Sequence, residues 1–135
     1  MNIVATTLAL LVLYIIGEAI WLKSTASLYK KWLHKFNPTL AIQSKSACLL
    51  VYPVLLLTFW YLVLRPEKGN GLTRAFVNGA LFGLAVYGVY NLTNVATLIG
   101  YSWTMVAVDT TWGTIWFGTL SAIYKMLMSM RLRLH

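Results

Sequence analysis

Acidic side chains are almost missing from this sequence. Glu18, Glu67 and Asp109 are the only three among 135 residues. Charge of either sign is scarce, at 10% of residues against about 25% in an ordinary soluble domain. That scarcity excludes a conventional soluble fold. Cysteine is limited to Cys48, which excludes a disulfide framework within the chain and a multi-cysteine metal site. Cys48 itself reads as a small buried hydrophobe near the start of an apolar run. His34 has no second His or Cys nearby in sequence, so it reads as an interfacial side chain rather than a ligand. Glycine-rich phosphate loops and the nucleophile elbow are also missing. With no recognisable nucleophile–base pair or metal set, an enzyme ranks last among the functions considered, and no cofactor is implied.

What the sequence has is apolar length, with 59% of residues hydrophobic. A helix crossing the ~30 Å hydrocarbon core needs about 20 mostly apolar residues. Residues 3–22, 47–64, 76–99 and 103–124 each supply such a stretch. Helix is the expectation for each, because a backbone in lipid must satisfy its own hydrogen bonds. The expected fold is therefore all-α: a polytopic transmembrane four-helix bundle, forming one integral membrane domain over residues 1–135. Pro53 is expected to kink the second span. The first segment lacks a basic leader and a clear cleavage site, so it reads as a retained span.

Eleven Lys and Arg leave a net charge of +8. They border the apolar runs, where they meet the bilayer and its anionic headgroups, so nucleic acid is not the expected partner. Lys23, Lys30, Lys31, Lys35 and Lys45 fall on one side of the predicted bundle. Arg65, Lys68, Arg74, Lys125, Arg131 and Arg133 fall on the other. The balance is nearly even; the crowding at the end of the last helix favours both termini in the cytoplasm.

The first linker repeats Leu28, Tyr29, Trp32, Leu33 and Phe36 at helical spacing, with Lys30, Lys31, His34 and Lys35 mostly opposite. This suits an interfacial amphipathic helix with its apolar face toward lipid, or a continuation of the first helix beyond the bilayer. Asn37-Pro38 ends it. Residues 65–71 read as a solvated turn. Gly100-Tyr101-Ser102 is short enough to make the last two helices an antiparallel hairpin.

Small residues mark that hairpin. Gly79 and Gly83 permit close helix approach, and Thr110, Thr114, Gly118 and Ala122 form a matching stripe, with Gly113 beside it. The pattern serves packing within the chain or a dimer interface. Asn91-Leu92-Thr93 matches a glycosylation acceptor but lies inside an apolar helix, where no glycosylating enzyme reaches.

The functional signal is the intramembrane polar set. A charge at the bilayer centre costs at least ~2.5 kcal/mol, so such residues face an interior or a cavity. Glu18 lies about four residues from the end of the first span, Asn94 about five from the end of the third and Asp109 about six from the start of the fourth, which is about 6–10 Å deep at 1.5 Å per residue. With alternating spans these three ends share one side of the membrane. Asn91 lies one turn deeper than Asn94, near Tyr87 and Tyr90. Trp112 and Trp116 follow Asp109 at helical spacing and bring indole donors toward it. Three readings follow: a one-sided polar cavity lined by Glu18, Asn91, Asn94 and Asp109, with Trp112 alongside; a hydrogen-bonded buckle in which Asp109 is held by Asn94 and the indoles; or a snorkelling Glu18.

The stretch from Tyr90 to Leu98 (Tyr-Asn-Leu-Thr-Asn-Val-Ala-Thr-Leu), the stretch from Val108 to Thr114 (Val-Asp-Thr-Thr-Trp-Gly-Thr), Gly79-Ala80-Leu81-Phe82-Gly83 and Glu18-Ala19-Ile20-Trp21-Leu22 resemble a known family over nearly the whole chain. It is the mostly bacterial family of small, predicted four-helix membrane proteins called domain of unknown function twenty-one seventy-seven. The resemblance implies a four-helix architecture. It points to Glu18, Asn94, Asp109, Trp112, Gly113 and Thr114, and it names no substrate. Its first motif usually carries Asp where this chain has Glu18, and Asp also usually stands at the position of Asn91.

Two functions are carried forward. One is a membrane protein that binds or translocates a small solute or proton through the polar cluster, working as a homo-oligomer because four helices alone rarely enclose a pathway. The other is a structural or assembly protein of a cellular or viral membrane.

Overall fold

The computed structural model describes residues 3–39, 41–66 and 71–133, with side chains through residue 130. Of the turn expected over 65–71, residues 67–70 lie outside the described residues, as do the side chains of the Arg131-Leu132-Arg133 tail. Among the described residues five helices make up the fold: α1 (Ile3–Ser24), α2 (Ala26–Leu33), α3 (Lys45–Phe59), α4 (Leu72–Thr97) and α5 (Trp103–Arg133). A wider π turn, Trp60–Leu64, continues α3. No strand occurs among the described residues.

Among the described residues three helical segments are long and apolar enough to cross a membrane: Ile3–Ser24, Lys45–Leu64 and Leu72–Thr97. Residues 103–124, expected as a fourth span, are helical but not among them. The reason is composition: the first half of α5 carries Asp109, Thr104, Thr110, Thr111, Thr114 and Gly113. Its length is ample, since 31 residues reach about 46 Å at 1.5 Å per residue.

The hairpin of α4 and α5 is the centre of the fold. Ala75, Gly79, Gly83 and Asn91 lie buried along one row of α4 at multiples of four residues. Met105, Asp109, Gly113, Phe117 and Ser121 form the facing row on α5. A Cβ on Gly79 would overlap the Phe117 carbonyl and come within 2.6 Å of the Ser121 Cβ. One on Gly83 would overlap the Gly113 backbone and approach the Thr114 Cα to 3.1 Å. The two backbones thus touch at Gly79 and Gly83, and the α5 row that meets them runs through Gly113, Phe117 and Ser121, one residue along from the stripe of Thr110, Thr114 and Gly118. Gly113 and Gly118 make room for the rings of Tyr87 and Phe76. Gly100, with φ 75°, turns the chain between the helices.

α1 packs on α5 through Thr6, Leu10, Tyr14 and Gly17. Gly17 lies under the Trp116 indole, where a Cβ has no space. Phe117 is the hub of the core, with Phe59, Phe82 and Tyr14 rings at 4.7, 5.1 and 5.4 Å. α3 runs through Pro53 as unbroken helix, and its backbone widens only at Trp60–Leu64. Phe59, Val63 and Leu64 of this segment reach the core. Its first turns, residues 45–51, are exposed throughout. Cys48 is consequently exposed rather than buried.

The first linker departs further from expectation. Thr25 bends the chain, its hydroxyl donating to the Trp21 carbonyl at 2.6 Å, and α2 folds back. Tyr29, Trp32, Leu33 and Phe36 pack on Tyr101, Met105 and Val106. The apolar face of α2 therefore covers the α4–α5 turn instead of facing lipid. Lys35 Nζ donates to the Gly100 carbonyl and fixes the end of this cover.

The backbone contact at Gly83 gives a direct test. Gly83→Val should destabilise the protein in detergent by about 1–3 kcal/mol through overpacking. Leu81→Val, on an exposed face two residues away, should change the melting temperature little. Equal effects in a thermal unfolding series would contradict the close hairpin.

Candidate functional site

Asp109 is 7% exposed and lies on the packed row of α5. Stepping one turn along α4 from Gly83, and one turn back along α5 from Gly113, brings Tyr87 opposite Asp109, with Asn91 the next turn on. Asn91 Nδ2 donates to Asp109 Oδ2 at 2.7 Å and to the Tyr87 carbonyl at 2.9 Å. Asn91 Oδ1 accepts from the Tyr101 hydroxyl at 3.0 Å. The register set by the glycines thus selects Asn91, not Asn94, as the partner of Asp109. Asn94 is half-buried beside Tyr101, one residue removed from the carboxylate.

The other oxygen of Asp109 is met from outside the hairpin. The Tyr29 hydroxyl of α2 donates to Oδ1. Tyr29 in turn accepts from Trp21 Nε1 of α1 at 3.2 Å. Three helices therefore meet at one carboxylate, and α1 joins them through Tyr29. Burial, followed by the bond to Asp109, holds the Tyr29 hydroxyl above its ordinary pKa of 10.0. Burial raises Tyr101 as well.

Glu18 sits nearby on α1 and is half-buried. Its Oε1 accepts from Trp112 Nε1 at 2.9 Å and from the Tyr87 hydroxyl at 3.1 Å. Trp112 therefore serves Glu18 rather than Asp109. Its ring stacks on Trp21 at 4.5 Å and beside Trp116 at 5.3 Å. The Trp116 indole N–H has no partner among the described residues, so neither indole bonds Asp109 in the way the buckle reading supposes.

A cavity of about 330 Å³ joins the two carboxylates. Tyr14 and Glu18 of α1 line it, with Asp109 of α5. Val86, Tyr87 and Tyr90 of α4 form a second wall, and Val51, Tyr52 and Leu55 of α3 a third. The cavity exists because the first half of α3 stands away from the bundle while its second half is anchored by Phe59 and Leu64. Among the described residues no group of three or more His, Cys, Asp or Glu gathers to hold a metal.

Glu18, Asn91, Asp109 and Trp112 are thus brought within one bonded network. Sequence reasoning missed Tyr29 and Tyr101, which complete it, and Tyr52, which closes the cavity. The tyrosine in the first linker was legible only as part of an amphipathic face.

The raised Tyr29 carries a pH prediction. A folded pKa above the unfolded value means that the stabilisation is whole below pH 10 and is lost as pH rises beyond it. Melting temperatures in detergent should fall as the pH rises from about 10 toward 12, and Tyr29→Phe should flatten that decline. An identical alkaline slope in both proteins would show that the Tyr29 hydroxyl is not buried and held as described.

No curated protein and no solved structure matches this chain. One family model, described as a predicted membrane protein (DUF2177), covers residues 3–126. With that match and three helical segments able to cross a bilayer, the chain is a multi-pass integral membrane protein belonging to this family of unknown function.

Proposed function

We propose that the protein is an intramembrane binding protein for a small solute, with Glu18 as the accepting group of the site. The observation that carries this reading is the shared cavity: Glu18 and Asp109 line one space between α1, α3, α4 and α5. The two carboxylates divide the work. Asp109 has a donor on each oxygen and acts mainly as the buckle that gathers the helices. Glu18 is less buried and faces the cavity with its network on one side.

This reading takes the chain as one domain with four crossings. Support for the fourth comes from packing, since α5 lies backbone to backbone against α4 at Gly79 and Gly83. A partner packed along a spanning helix shares its depth. The cluster then lies toward the side of the bilayer that holds the first and third linkers. A single chain forms a pocket and not a path, so translocation would need a second copy.

The cavity can be tested for water. In a Cys48→Ser background, Leu55→Cys should react with iodoacetamide in lipid nanodiscs at least tenfold faster than Val54→Cys. Leu55 lines the cavity, whereas Val54 at similar depth is exposed on the outer face. Thiols ionise in water and not in lipid, so equal slow rates at the two positions would refute a hydrated solute site.

A further inference from the structure

We propose that the solute of this cavity is an organic ammonium ion, a small cation with an apolar body. The inference rests on the cavity being a solute site, and it names the ligand chemistry.

Charge is the first argument. Two carboxylates line the space, and no lysine, arginine or histidine is among the described residues around it. The donors that meet Glu18 and Asp109 are hydroxyls, an indole and an amide, all neutral. Neutral donors orient a carboxylate without cancelling its charge. Such a site repels anions and favours a cation, more strongly where water is scarce.

The walls decide which cation. Tyr14, Tyr52, Tyr87 and Tyr90 supply aromatic faces, and an ammonium or alkylammonium ion is attracted to the negative face of such rings. Val51, Leu55 and Val86 leave the remainder apolar. A metal ion fits poorly, because Ca²⁺ takes about 6–8 oxygen ligands and no group of three candidate ligands occurs among the described residues. A polyhydroxylated solute would leave most of its hydroxyls without partners against these walls. Size adds a limit. About 330 Å³ lies at the low end of ligand sites, which suits a single ring with a substituted ammonium head and excludes a whole lipid. The first half of α3 stands open beside this space, so the ligand enters between α3 and its neighbours.

The experiment uses the full chain in lipid nanodiscs and benzyltrimethylammonium as the probe, with calorimetric titration as the readout. Saturable binding of one ion per chain is expected, and benzyl alcohol, which keeps the ring but not the charge, should not compete. Glu18→Gln should weaken binding at least tenfold; its amide oxygen still accepts from Trp112. Tyr52→Leu should weaken binding severalfold and Tyr52→Phe should leave it unchanged, a pair that depends on the ring and leaves both carboxylates in place. Absence of saturable binding, equal competition by benzyl alcohol, or unchanged affinity in Glu18→Gln or Tyr52→Leu would overturn the proposal. If the probe fails to bind while Leu55→Cys reacts rapidly, the cation class falls and the solute site stands. If Leu55→Cys is also unreactive, the site itself falls.

Discussion

A carboxylate withdrawn from water must be met by hydrogen-bond donors, and in this protein that demand is concentrated at Asp109. The usual partner, a basic side chain, does not meet it here. Asn91 takes one oxygen and Tyr29 the other. Each partner brings its own element, so a single group ties α2 and α4 to α5. Trp21 extends the bond to α1 through Tyr29. Glu18 is drawn into the same region by Tyr87 and Trp112. Unmet donors in hydrocarbon are costly, so these bonds select one arrangement of the helices.

The arrangement depends equally on the bare backbone of the hairpin. Gly79 and Gly83 let α4 touch α5, and this contact fixes which residues face each other. Asn91 and Asp109 are the polar end of that same seam. Lipid supplies no hydrophobic drive for helix association, so close contact and internal hydrogen bonds must supply it. The seam uses the first in its lower part and the second at its upper end. α3 takes little part in either over its first turns, and its separation leaves the cavity open.

Much of this was legible in the residues. Glu18 and Asp109 stand out as acids inside apolar runs, and the short turn at Gly100 makes a hairpin. Gly79 and Gly83 announced the contact face. The choice between Asn91 and Asn94 was not legible from depth, because both lie near the carboxylate level. It follows only once Gly83 is set against Gly113. Tyr29 was hidden for a different reason. An amphipathic helix shows the same periodicity whether its apolar face meets lipid or protein, and the bend at Thr25 decides between them. Trp112 was assigned to Asp109 by its spacing along α5, but the nearest acceptor came from α1. Cys48 was misread because an apolar neighbourhood in sequence means burial in a soluble protein and often exposure to lipid in a membrane one.

The account attributes both the fold and the site to one set of bonds: Asp109 holds α2 over the helix turn, and the cavity beside Glu18 exists within that frame. A double-mutant cycle between Tyr29→Phe and Asp109→Asn, read by reversible unfolding in detergent, addresses this most directly. The account predicts a coupling of about 1 kcal/mol or more, as for hydrogen bonds to charged groups. Additive effects of the two substitutions would mean that Tyr29 and Asp109 do not bond, and would contradict it.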